Sequence, residues 1–160
     1  MRNGSAMQIR VDHPHRPEVT ALLNAHLDHC RRSSPPESVH ALDLDGLCTP
    51  DIVFWTAWDG DALLGCGALK ELDPHHGEIK SMHTAARHRG RGVAGAVLAH
   101  MLNEARSRAY RRVSLETGSM DAFAPARALY ARFGFVGCPP FGSYRVDPYS
   151  VCMTLELRAD

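Results

Sequence analysis

No run of apolar residues in this sequence is long enough to cross a bilayer, so no membrane-spanning helix is expected. Net charge is also missing: 18 Lys and Arg offset 18 Asp and Glu, giving zero with histidine neutral. No global field then draws the chain toward nucleic acid or an anionic lipid surface, and neither is expected as a partner. The five cysteines, Cys30, Cys48, Cys66, Cys138 and Cys152, are odd in number and share no close spacing. That argues against a disulfide framework and against a CxxC metal knuckle, and it fits a reducing cytoplasm. There is no internal repeat, low-complexity tract or linker.

What is present is an ordinary globular composition, 44% hydrophobic and 22% charged, over 160 residues. That length suits one domain with a real core, expected over residues 7–158. Residues 1–6 lack the apolar centre of a signal peptide. They are expected to be a tag remnant or a disordered start, with Met7 as a plausible first residue.

The hydrophobic pattern reads as a mixed α/β sheet flanked by helices. Met7 to Val11 is a first strand. Val19, Leu22, Leu23, His26 and Leu27 recur at helical spacing, predicting a helix over 15–31 that Ser33-Ser34-Pro35-Pro36 stops. A short second helix is expected near 36–42. Ile52 to Trp58 and Ala62 to Leu69 read as a hairpin about Asp59-Gly60-Asp61. Glu78 to Thr84 is a short strand, Val93 to Ala109 an amphipathic helix, and Val113 to Thr117 another strand. A helix over 125–133 with Gly134 at its exit, a strand from Phe135 and a last strand over 151–157 complete the order.

Arg87-His88-Arg89-Gly90-Arg91-Gly92-Val93-Ala94 lies at a strand-to-helix junction. Glycines let backbone N–H groups approach a phosphate, and the helix that follows adds its positive end. Around it, from Lys80 to Arg112, eight basic residues face one acid, Glu104. The segment is not a Walker loop, because no Gly-Lys-Ser/Thr follows. It is not a dinucleotide fingerprint either: position 112 is Arg and position 113 Val, where an acid would be needed.

About forty residues on stands Leu129-Tyr130-Ala131-Arg132-Phe133-Gly134-Phe135. Alone, Tyr130 reads as an aromatic at the edge of the core. Together, Arg87-x-x-Gly90-x-Gly92 and Leu129-Tyr130-x-x-x-Gly134-Phe135 resemble the GNAT superfamily of acyl-CoA-dependent N-acetyltransferases. The resemblance covers about Met7 to Leu157 and is strongest from Glu78 to Phe135.

That resemblance implies a splayed sheet in which the strand 78–84 parts from the strand 113–117. It implies acetyl-CoA as acyl donor, with no metal. The backbone of Met82 and Thr84 would pair with the pantetheine arm. Amides from Arg87, His88, Arg89, Gly90, Arg91, Gly92, Val93 and Ala94 would hold the pyrophosphate. The Met82 N–H would stabilise the thioester oxyanion. Tyr130 would protonate the departing thiolate. Relatives often carry an asparagine where this chain has Phe123, which would instead pack on the arm, and a proline where it has Ala86.

The acceptor, a primary amine of a small molecule or peptide, must lose a proton before it attacks. Glu78 and Glu116, on facing strands, are the candidate bases, with His83 a third; His83 is expected to face away from Met82. Arg145 is a candidate partner for an acceptor carboxylate. His26, His29 and Cys30 suggest a zinc site, but His26 belongs to the apolar stripe and no fourth ligand follows at zinc spacing. Trp55 and Trp58 are read as core. A homodimer through the last strand is a family-level expectation. A non-catalytic acyl-CoA sensor or partner-binding domain of the same fold is the alternative.

Overall fold

A computed structural model describes residues 7–157 of the chain; the expectation for residues 1–6 lies outside the described residues. Seven strands form one sheet in the order β1-β2-β3-β4-β5-β7-β6. They are β1 (Gln8–Val11), β2 (Ile52–Asp59), β3 (Ala62–Asp73), β4 (His76–Thr84), β5 (Arg112–Gly118), β6 (Val136–Cys138) and β7 (Ser150–Glu156). All neighbours run antiparallel except β4 and β5, which are parallel. A parallel pair needs a crossover, and α2 (Val93–Ser107) supplies it. The other helices are α1 (Pro17–Ser33) and α3 (Ala124–Arg132).

Strand alternation puts a different apolar set on each face. Phe54, Cys66 and Ala68 meet Val19, Leu22 and Leu23 of α1. Trp55, Ala57, Leu64 and Leu69 meet Val93, Val97, Leu98, Met101 and Leu102 of α2, and Tyr130 of α3 joins this larger core. Gly67 lets α2 come close: a Cβ there would lie 2.9 Å from both Val97 Cγ1 and Met101 Cε, and 2.8 Å from Met82 Sδ. Trp55 and Trp58 are buried as expected, and the Trp58 indole N–H donates to Thr56 Oγ1 at 2.7 Å.

Local chemistry accounts for the helices. α1 carries proline in its first turn, Glu18 near its positive end, and Arg31 and Arg32 near its negative one. Two helices end in the same hydrogen-bond pattern. After α3, the Phe135 N–H donates to the Tyr130 carbonyl and the Gly134 N–H to the Ala131 carbonyl, both at 3.0 Å. After α2, Tyr110 and Ala109 do the same to Ala105 and Arg106. The first uses a glycine in the left-handed region, φ 96°; the second forces Ala109 there, at φ 62°.

Two expectations change. The predicted second helix over 36–42 shrinks to a single 3-10 turn, Pro36–Ser38. The turn ends where Val39 takes an extended backbone, φ −90° and ψ 113°. The turn before β4 is also tighter than predicted, so the strand starts at His76 rather than Glu78.

Candidate active site

β4 and β5 pair only through His76–Ile79 and Arg112–Leu115. Beyond that point each strand continues, to Thr84 and to Gly118, without the other. At the parting, Ser81 takes a left-handed conformation, φ 55°, and the β3–β4 register shifts between Cys66 and Ala68. A bulge of this kind turns a strand and re-aims its side chains. The wedge between the strands opens into a cavity of about 560 Å³, within the usual range for small-ligand sites.

Of the residues expected to hold the donor or act on it, Glu78, Met82, Thr84, Arg89, Gly90, Gly92, Val93, Ala94, Glu116, Phe123 and Tyr130 all line this cavity. Gly92, at φ 78°, starts α2 in a conformation that favours glycine. The first N–H groups of α2 have no partners within the helix, and Val93, Ala94 and Gly95 all border the cavity.

The arginines divide. Arg89 lines the cavity. Arg91 instead bonds Asp59 Oδ2 at 3.2 Å and meets His88 Nδ1 at 2.8 Å, fastening the loop to the β2–β3 hairpin. The lining does not include Arg87, His88 or Arg91. Sequence alone had no means of separating anchor from cradle within one basic run.

Tyr130 is 6% exposed, and burial alone pushes its phenol well above the usual range. It therefore stays protonated throughout the physiological range. Its ring meets Phe135 edge-on at 5.8 Å. The Leu129-Tyr130…Gly134-Phe135 signature thus has a structural meaning: the glycine closes the helix so that Phe135 returns against Tyr130 and fixes it.

The two carboxylates differ. Glu78 is buried, accepts from Lys80 Nζ at 3.1 Å and from the Tyr144 hydroxyl at 2.5 Å, while Lys80 also donates to Tyr144 at 3.0 Å. Glu116 accepts from Ser150 Oγ at 2.8 Å. Burial raises Glu116 from the ordinary 4.5 to about 7, helped by Glu78 and Asp147 and opposed by Ser150 and Lys80.

His83 sits across the strand from Met82: Met82 packs on the large core, and the His83 ring lies 5.2 Å from that of His26 on α1. Burial, then Arg89 and His29, lower His83 to about 4, so it is a poor base near neutrality. His26, lowered to about 4 chiefly by burial, lines the cavity. His29 packs edge-on against Phe123 at 5.2 Å. Cys30 also borders the cavity, with its thiol pushed up to about 11 by burial. Among the described residues no group of three His, Cys, Asp or Glu side chains is placed to hold a metal.

Two further residues matter here. Lys80 was legible, because it follows Glu78 by two and shares its strand face. Tyr144 belongs to the loop after Phe135 that was expected to shape the acceptor side, but its pairing with Lys80, 64 residues earlier, was not legible. Arg145, the residue expected to meet an acceptor carboxylate, does not line the cavity. It borders a separate shallow depression with Cys138 and Pro140.

A sheet that parts at its one parallel pair, with a glycine cradle at the parting, defines the class, and comparison with known proteins agrees. Residues 19–135 match the acetyltransferase (GNAT) family, and the chain belongs to it. It is 56% identical, over 94% of its length and all of the relative's, to an uncharacterized N-acetyltransferase of Bacillus subtilis. Its fold is similar to that of an acyl-CoA N-acyltransferase from Klebsiella pneumoniae, with a TM-score of 0.78 and 27% identity over 96% of this chain and 99% of that one. A GNAT acetyltransferase of Elizabethkingia anophelis, solved with acetyl-CoA bound, has the same fold at a TM-score of 0.71 and 18% identity, over 98% of this chain and 100% of that one.

Proposed function

We propose that this acetyltransferase moves an acetyl group from acetyl-CoA to a primary amine by direct attack, with Glu116 as base and Tyr130 as acid. The observation that carries this reading is that one cavity, opened where β4 leaves β5, is bordered by the glycine cradle, by Glu116 and by Tyr130. Open space beside Gly90 and Gly92, where a Cβ would meet nothing within 4 Å, suits close approach of a pyrophosphate.

The amine arrives protonated and gives a proton to Glu116, directly or through a water. Its lone pair then attacks the thioester carbon, with the Met82 N–H facing the developing oxyanion. The C–S bond breaks, the sulfur takes the Tyr130 proton, and the second proton shed by the nitrogen after attack restores the Tyr130 phenol. One proton per turnover passes to solvent. A carboxylate near pH 7 is well matched to this task, whereas Glu78 is committed to Lys80 and Tyr144 and serves better as a fixed charge. The high Cys30 thiol supports direct attack, since a cysteine without thiolate is a weak nucleophile.

Acetyl-CoA affinity by calorimetry, followed by thiol release across a panel of primary amines, tests this. Binding with turnover of at least one amine is expected. Binding without turnover of any amine favours the sensor reading, and no binding at all removes both.

A further inference from the structure

We propose that the acceptor is a small amine bearing a carboxylate, of the free amino-acid type, with the carboxylate held by Lys80 and the amine presented to Glu116. This rests on the acetyltransferase reading above and adds the acceptor's chemical class.

Lys80 carries the argument. Its side chain is 9% exposed, yet it lines the cavity. An ammonium has three N–H donors. Two are used, on Glu78 Oε2 and the Tyr144 hydroxyl. Those bonds fix the head group and leave a third donor available in a largely desolvated position. A buried charge with an unused donor is costly unless a ligand completes it.

The charge pattern gives the second half. At this end of the cavity Lys80 pairs with Glu78, while Glu116 accepts from the neutral Ser150 hydroxyl. A plain amine would meet Glu116 and leave the Lys80 donor idle. A zwitterion matches both, ammonium toward Glu116 and carboxylate toward Lys80. Hydrogen-bonding capacity also lies unused nearby. Among the described residues, the two buried side-chain polar atoms without a partner are Ser81 Oγ and His26 Nδ1. Both residues border this cavity, and Ser81 follows Lys80 directly.

The surroundings limit size. Ser38 donates to Asp147 Oδ2 at 2.6 Å, and the His40 ring packs edge-on against Tyr144 at 5.1 Å. These contacts tie the 34–41 segment to the 139–149 loop beside Lys80. A free amino acid is small enough to bind beside Lys80 with these contacts intact.

The test compares thiol release from acetyl-CoA for free amino acids against their C-terminal amides, in the wild type, Lys80→Met and Lys80→Arg. In the wild type at least one acid is expected to exceed its amide by about tenfold or more in kcat/KM. Lys80→Met should bring that ratio close to one, and Lys80→Arg should restore part of it. Acetyl-CoA affinity by calorimetry should be retained in both variants, which separates acceptor recognition from misfolding. Amides used as well as acids, no turnover of any acid, or a ratio unchanged in Lys80→Met would each overturn the proposal. If acetyl-CoA binds and only carboxylate-free amines react, the acetyltransferase reading stands and this one fails. If acetyl-CoA does not bind, both fail.

Discussion

Glu116→Gln should remove activity and raise stability together. Burial moves the carboxyl from 4.5 to about 7, so the folded protein favours its neutral form. Between those values the native state binds more protons than the unfolded chain, and stability falls as pH rises through that window. The penalty is complete above about 7 and absent below about 4.5. The shift corresponds to on the order of 2–3 kcal/mol after discounting for partial exposure. Glutamine keeps an oxygen to accept from Ser150 and carries no charge. At pH 8 the variant should therefore melt roughly 4–10 °C above wild type, with little difference near pH 4.5. Activity gives the other half. Ionised Glu116 should rise from about one-tenth at pH 6 to about nine-tenths at pH 8, so wild-type kcat/KM should climb about tenfold. In the variant that inflection should vanish. A flat wild-type profile, or a Glu116→Gln protein no more stable at pH 8, would refute the assignment of an elevated, working carboxylate at this position.

Three other outcomes can be measured directly. Tyr130→Phe should lower kcat by about 100-fold or more with acetyl-CoA affinity nearly unchanged; an unaltered rate would end the general-acid role. Gly67→Ala places a Cβ within 3 Å of Val97, Met101 and Met82, so chemical denaturation should show a loss of roughly 1–3 kcal/mol. Ala109→Gly relieves the φ of 62° after α2, and the same assay should show a gain of roughly 0.5–1 kcal/mol.

Much of the fold was legible because its signals are local. The α2 stripe from Val93 to Ala105 has a period of 3.6, and its buried positions follow it. The 36–42 segment misled because proline spacing shows where a helix cannot continue, not how little of one forms. The cradle was legible as a sequence of glycines and arginines. Which arginine lines the cavity was not, because Arg91 is held by Asp59, 32 residues earlier.

The sequence by itself determined the elements and the inventory: glycines at the start of α2, Tyr130 ahead of its glycine exit, and acids at positions 78 and 116. These follow from periodicity, capping and backbone sterics, which act over a few residues. The tertiary structure alone decided the environment of each residue. It parted β4 from β5 after four paired residues, committed Glu78 to Lys80 and Tyr144, and left Glu116 in surroundings that favour its neutral form. It also placed Lys80 in the cavity lining and Arg145 outside it. Desolvation and charge proximity set what each group can do, and both depend on which distant segments meet.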